Sequence, residues 1–299
     1  MRGRGKTAIE TGEVGLAVPC RIWLVGDEPA SASQIEAWLA AAGYGCECLD
    51  TSEACLRLAA GRPAAGHVIV NAGARKGSLD LLTPFKEAGL QVTLLVEPED
   101  LPAVEAGLHA QVSAFLVKPF TDAALCAVLA LPRADVGAPA GGCFPFRTLD
   151  DVAALSQLVA GLCPEPETLQ IALHELMLNA VEHGNLGLGF ERKAELMNSG
   201  LWRREVERLL AQPGQRERFA WLRVERRPRA LHFLICDQGQ GFDPAPYLDL
   251  DPARAVEPEG RGIAIARLLA FPDLVFSAGG RCVEGVVRRA DFRGLAVEE

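Results

Sequence analysis

Glu175, Asn179 and His183 are spaced i, i+4, i+8 in the run Glu175-Leu176-Met177-Leu178-Asn179-Ala180-Val181-Glu182-His183-Gly184-Asn185. On a helix that spacing stacks a carboxylate, an amide and an imidazole on one face. The surrounding residues Ile171, Leu173, Leu176, Leu178 and Val181 are apolar. A polar stripe on such a helix is costly to bury unless something satisfies it. The stripe is therefore expected to face a ligand or a partner. Taken alone, Glu175 and Asn179 are equally a polar pair capping an interior contact, and His183 a structural histidine near a helix end.

Two glycine motifs follow. Asp237-Gln238-Gly239-Gln240-Gly241-Phe242 comes directly after the apolar run Leu231–Cys236. Gly260-Arg261-Gly262-Ile263 comes directly before the apolar, helix-like run Ile263–Leu269. A helix start offers free backbone N–H groups and the positive end of the dipole, which favour anions. An Asp-x-Gly segment alone reads as an ordinary turn after a strand, and Arg261 can add charge or point to solvent.

The ordered set E-x-x-x-N, D-x-G-x-G and G-x-G-I resembles the Bergerat-type ATPases, shared by histidine kinases, gyrase-like ATPases and anti-sigma-factor serine kinases. The N-A-x-x-H-G-N variant is most similar to the anti-sigma serine kinases. The resemblance covers roughly the C-terminal half. It implies an α/β two-layer sandwich that binds ATP and Mg²⁺. Asn179 would offer its carbonyl to Mg²⁺, a hard cation that takes oxygen ligands. Glu175 would be the base or water-orienting group, and His183 would line the phosphate side. Asp237 would accept a hydrogen bond from the adenine amine, selecting adenine over guanine. Gly239 and Gly241 would let the backbone approach the base and adopt positive φ. Gly260, Arg261 and Gly262 would hold the phosphates, and Asp243 to Glu259 would form a mobile lid. The implied activity is phosphorylation of a serine on a STAS-type anti-sigma antagonist, with a sigma factor or similar regulator as a second partner. The alternative is a nucleotide-gated binding module without effective phosphoryl transfer.

Two segments depart from that pattern. Residues 190 to 211 carry helical periodicity and Trp202, read as either a core anchor or part of a partner surface. Gly280-Arg281-Cys282-Val283 replaces the expected Gly-Thr, so a phosphate-contacting hydroxyl is missing. The key helix is expected to open at Pro164-Glu165-Pro166-Glu167 and to stop at Gly184.

The elements that precede this region read as alternating strands and helices. Strands are expected at 21–25, 45–49, 68–71, 92–96 and 114–117. Amphipathic segments are expected at 33–42, 78–88 and 121–131. The pattern implies a doubly wound, five-stranded parallel sheet and resembles a response-regulator receiver. The receiver chemistry does not survive. The acidic pair after strand one reads Gly26-Asp27-Glu28. Strand three ends in Asn71, an amide that cannot form an acyl phosphate. Val96 stands where a hydroxyl is expected, and only Lys118-Pro119 persists. A receiver fold without receiver chemistry is expected to dock a partner, mediate a homodimer or restrain the other half.

The 299 residues suggest two domains: a flexible N-terminus at 1–19, the receiver-like domain at 20–132, a Gly/Pro/Ala-rich linker at 133–146, and the ATP-binding domain at 147–299. A net charge of −9 argues against general nucleic-acid binding. No apolar run reaches the ~18 residues of a membrane span, and no signal peptide is apparent. Nine cysteines without C-x-x-C spacing argue for a reducing, cytoplasmic setting. Cys46 and Cys48 alternate onto one face of a strand and read as small apolar residues. Gly3–Thr7 imitates only the tail of a P-loop, and His174-Glu175 lacks the second histidine of a zinc-protease motif.

Overall fold

The computed structural model describes residues 21–26, 29–61, 66–73, 77–131, 141–248 and 261–288. Asp27, Glu28, the Gly3–Thr7 run, Gly260, most of the expected linker and much of the expected lid lie outside them.

The first half runs β1 (Arg21–Val25), α1 (Pro29–Ala41), β2 (Gly45–Leu49), α2 (Thr51–Ala59), β3 (His67–Asn71), α3 (Leu82–Glu87), β4 (Gln91–Val96), α4 (Leu101–His109), β5 (Ala114–Val117) and α5 (Asp122–Leu129). All five strands are parallel, in the order β2-β1-β3-β4-β5. This is a doubly wound order with its switch point between β1 and β3. β3 is buried along its whole length because helices cover both faces. Side chains start the helices: Asp50 accepts from Glu53 N at 2.7 Å, and Thr121 Oγ1 accepts from Ala124 N at 3.2 Å.

The second half runs β6 (Gly142–Phe146), α6 (Leu149–Ala160), α7 (Pro166–Asn179), a π-helical turn (Ala180–Asn185), α8 (Phe190–Asn198), α9 (Trp202–Leu210), β7 (Ala220–Arg227), β8 (Ala230–Cys236), α10 (Gly262–Leu269), β9 (Val275–Ser277) and β10 (Cys282–Arg288). Its strands are antiparallel in the order β6-β7-β8-β10-β9. One face of this sheet carries the core: Leu222, Val224, Phe233 and Ile235 are buried with Leu169, Leu173, Leu176 and Met177 of α7. Full burial of each large apolar side chain is worth about 1.5–3 kcal/mol, so α7 is held by its packing. β8 is fully buried at alternate residues, Leu231, Phe233 and Ile235, which turn one face into the core.

Three expectations are corrected. The end of the expected linker is a strand: Gly142–Phe146 pairs with β7, and its Cys143 stands beside Ala114 of β5. The ten strands therefore form one sheet. Phe115 and Phe144 stack across the junction with centroids 4.5 Å apart. Gly184 does not stop the key helix. The π turn carries the chain through it to Asn185, and the left-handed residue that ends the run is Gly187, φ 67°. The cysteines are not all unpaired either. The β8–β10 register sets Cys236 opposite Cys282, with Cα atoms 4.2 Å apart, and they form a disulfide. Among the described residues no helix is long and apolar enough to cross a membrane.

Candidate functional site

Between α7, the π turn, α10 and the ends of β8 and β10 lie two adjoining cavities. One is lined by Leu176, Asn179, Phe242, Ile263, Phe276 and, at its polar side, Asp237 and Arg281. The other is lined by Glu175, Asn179, His183, Lys193, Arg261 and Gly262. Asn179, His183, Phe190 and Ile263 are shared, so the two compartments meet. One is largely apolar with a carboxylate at its edge. The other combines a carboxylate, an amide and two cationic side chains.

The three sequence motifs touch here. The Glu175 carboxylate rests so close to Gly262 that a Cβ there would lie 2.4 Å from Oε2. A Cβ on Gly184 would lie 2.4 Å from Cγ of Asp237, and one on Gly239 would lie 2.3 Å from the Gly184 carbonyl. The glycines are thus required where strand end, helix start and π turn converge. Asn185, the last residue of the N-A-x-x-H-G-N run, and Arg218, which carried no motif, fasten this convergence. Asn185 Oδ1 accepts from Gln238 N at 2.8 Å, and Arg218 donates to the carbonyls of Asn185 and Gln238 at 3.0 and 2.6 Å.

Most of the expected site residues line the two cavities. Glu175, Asn179 and His183 are half-buried and line the cavities together, with Asn179 and His183 facing both. His183 Nδ1–H donates to the Leu188 carbonyl, which fixes the proton on that nitrogen, and its ring packs 4.2 Å from that of Phe190. Asp237 lines the apolar compartment, and its Oδ1 accepts from Gly239 N at 2.7 Å. Burial pushes its carboxyl above the ordinary carboxylate range, against the opposing pull of that hydrogen bond and of Arg281 and Arg218. Gly241 lines the cavity with φ 79°; Gly239 lines neither compartment and makes room for the Gly184 carbonyl instead. Arg261 is exposed yet lines the polar compartment at the start of α10.

Several lining residues had no signal in the sequence. Phe190, Tyr247, Phe242 and Phe276 form an aromatic chain, with centroids 5.0, 5.9 and 5.8 Å apart along it. Tyr247 belongs to the first part of the expected lid, which is docked here. Lys193, on α8, pairs with the fully buried Glu182 at 2.9 Å. Trp202 Nε1 donates to the other oxygen of Glu182, so Trp202 is a core anchor.

Residues 150–284 match the family model of the histidine kinase-like ATPase domain. This stretch is similar to the histidine kinase-like ATPase domain. The matched residues include every residue that lines the two cavities. No curated protein matches the chain. Among solved structures the chain is similar to NtrX from Brucella abortus, at 20% identity over 38% of this chain and 26% of that one, with a TM-score of 0.33. It therefore spans about a quarter of that protein's length. It is also similar to the separate receiver domain of the same NtrX, at 21% identity over 36% and 93% of the two chains, TM-score 0.33. A response regulator receiver protein from Pseudomonas putida is matched at 21% identity over 38% and 98%, TM-score 0.34. The receiver-like description of the N-terminal half rests on its own strand order.

The donor set of this ATPase-like stretch fits a purine nucleotide with a metal ion. The apolar compartment ends in an acceptor, Asp237, and the polar one offers Asn179 as an oxygen ligand with Lys193 and Arg261 as cations.

Proposed function

We propose that this chain is an ATP- and Mg²⁺-dependent protein serine kinase acting in a partner-switching circuit. Its substrate is a serine on a STAS-type anti-sigma antagonist, and it also holds a sigma factor or comparable regulator. The observation that supports this reading is the placement of the Glu175 carboxylate against Gly262, in the same polar cavity as Asn179. Asn179 would hold Mg²⁺ on the phosphates, and the start of α10 with Arg261 would hold the transferable group. Glu175 would take the proton of the attacking serine hydroxyl as the γ-phosphoryl moves in line from ATP to that oxygen, with ADP as the leaving group.

A second reading is a nucleotide-gated binding module that transfers no phosphate. One observation favours it: Arg281 and the disulfide-bonded Cys282 stand where a phosphate-contacting hydroxyl is expected. The two readings separate in one experiment. The purified chain is incubated with Mg-ATP and a panel of STAS-type antagonists, and phosphoserine is read by mass spectrometry against Ser→Ala forms of the antagonists. The kinase reading expects phosphoserine on one antagonist. ATP binding with no transfer to any of them supports the module instead.

A further inference from the structure

At the far edge of the ten-stranded sheet from the nucleotide cavity, β2 presents Cys46 and Cys48 two residues apart. Alternation along a strand puts both side chains on one face and Glu47 on the other. The helix over that face is α1, and it supplies Glu36. One ligand atom from each of Glu36, Cys46 and Cys48 lies within 4.8 Å of the other two. Cys48 Sγ donates to Glu36 Oε1 at 3.0 Å.

We propose that Glu36, Cys46 and Cys48 form a binding site for a thiophilic divalent cation, zinc, with water in the fourth position. Two features converge on it. Two sulfur donors and one carboxylate oxygen are a donor set suited to Zn²⁺. The pair comes from a regular strand and the third ligand from the helix packed on it, so the backbone presets the spacing. A divalent ion would displace the two thiol protons and leave a complex of net charge about −1. Such a site clamps the edge strand β2 to α1. It touches no residue of the nucleotide cavity, so it stands or falls apart from the kinase reading.

The test is a titration of the reduced, metal-free full-length protein with Co²⁺ under anaerobic conditions, read by the thiolate-to-cobalt charge-transfer band. The band is expected to grow to saturation at equimolar metal, to vanish on adding Zn²⁺, and to accompany release of about two protons per ion. Cys46→Ser and Cys48→Ser should each abolish it. Glu36→Gln should weaken the metal by about 100-fold, at least what the loss of an outer partner costs. Cys55→Ser, an exposed cysteine on α2, should leave it unchanged. Absence of a band in the parent protein overturns the proposal, whatever the variants do. So does a band that persists in Cys46→Ser and Cys48→Ser, or one that also requires Cys55.

Discussion

At the carboxyl ends of the N-terminal strands, β3 stops at Asn71, β4 stops at Val96, and Lys118 after β5 pairs with Glu97 at 2.9 Å. In the ATPase-like half the convergence of strand ends and helix starts keeps Glu175, Asn179, Asp237 and Gly262 around one pair of cavities. Both halves bury complete cores, since β3 and β4 are as inaccessible as β8 is on its inner face. The difference teaches that a core and a site are separate demands. Apolar burial holds a doubly wound sheet whether or not its rim can do chemistry. The rim needs only a few polar residues, and in the first half Asn71 and Val96 stand where an aspartate and a hydroxyl are expected. The surviving lysine has turned to a half-exposed carboxylate, a pair worth little to stability.

The sharpest way to break this comparison is at Glu175. With Glu175→Gln, phosphoryl transfer should fall by about 10²–10⁴-fold, the range of a general base, while nucleotide affinity stays. Equal transfer by the two proteins would put the base elsewhere. Next in size is the bond between β8 and β10. Cys282→Ser should lower stability by about 2–4 kcal/mol in urea unfolding under oxidising conditions, and by far less in excess reductant.

Asp237 sharpens the contrast through pH. Asp237→Asn should weaken ATP by about 10- to 100-fold, the worth of a hydrogen bond to a charged group. Its effect on stability has the opposite sign. A carboxyl raised in the folded state contributes stability at low pH that is lost as pH rises through its folded value. The Asn variant should therefore be as stable as the parent or more so at neutral pH, with the difference closing in acid. For the same reason ATP affinity in the parent should begin to fall, on acidification, at a higher pH than an ordinary aspartate would give. The smallest effect belongs to the silent half. Lys118→Ala should change stability by less than about 1 kcal/mol and leave ATP affinity unmoved. A loss of affinity would mean that the N-terminal rim reaches the cavity.

Much of this was legible from local pattern. The bounds of β1, β2 and β5 follow from short apolar runs between turn residues, and Glu175, Asn179 and His183 meet because helical spacing places them together. What escaped depends on distant partners. Gly142-Cys143-Phe144-Pro145-Phe146 has the composition of a loop and becomes a strand only because β7 and β5 flank it. Gly184 has the look of a helix stop, yet it is small because Asp237 presses on it. The widened turn around it is of the kind found at functional sites. Phe190 and Lys193 reach the cavity from α8, and Phe242 and Tyr247 from the segment after β8, with no motif that links the two pairs. Cys236 and Cys282 lie 46 residues apart, and only the antiparallel register makes them neighbours.

The account rests on a metal-bound nucleotide held by the amide of Asn179. The most direct measurement is a calorimetric titration of the full chain with ATP, with and without Mg²⁺, beside Asn179→Ala. The expected result is saturable Mg²⁺-dependent heat for the parent and none for the variant. Undiminished affinity in Asn179→Ala, or no heat from the parent at millimolar nucleotide, would contradict it.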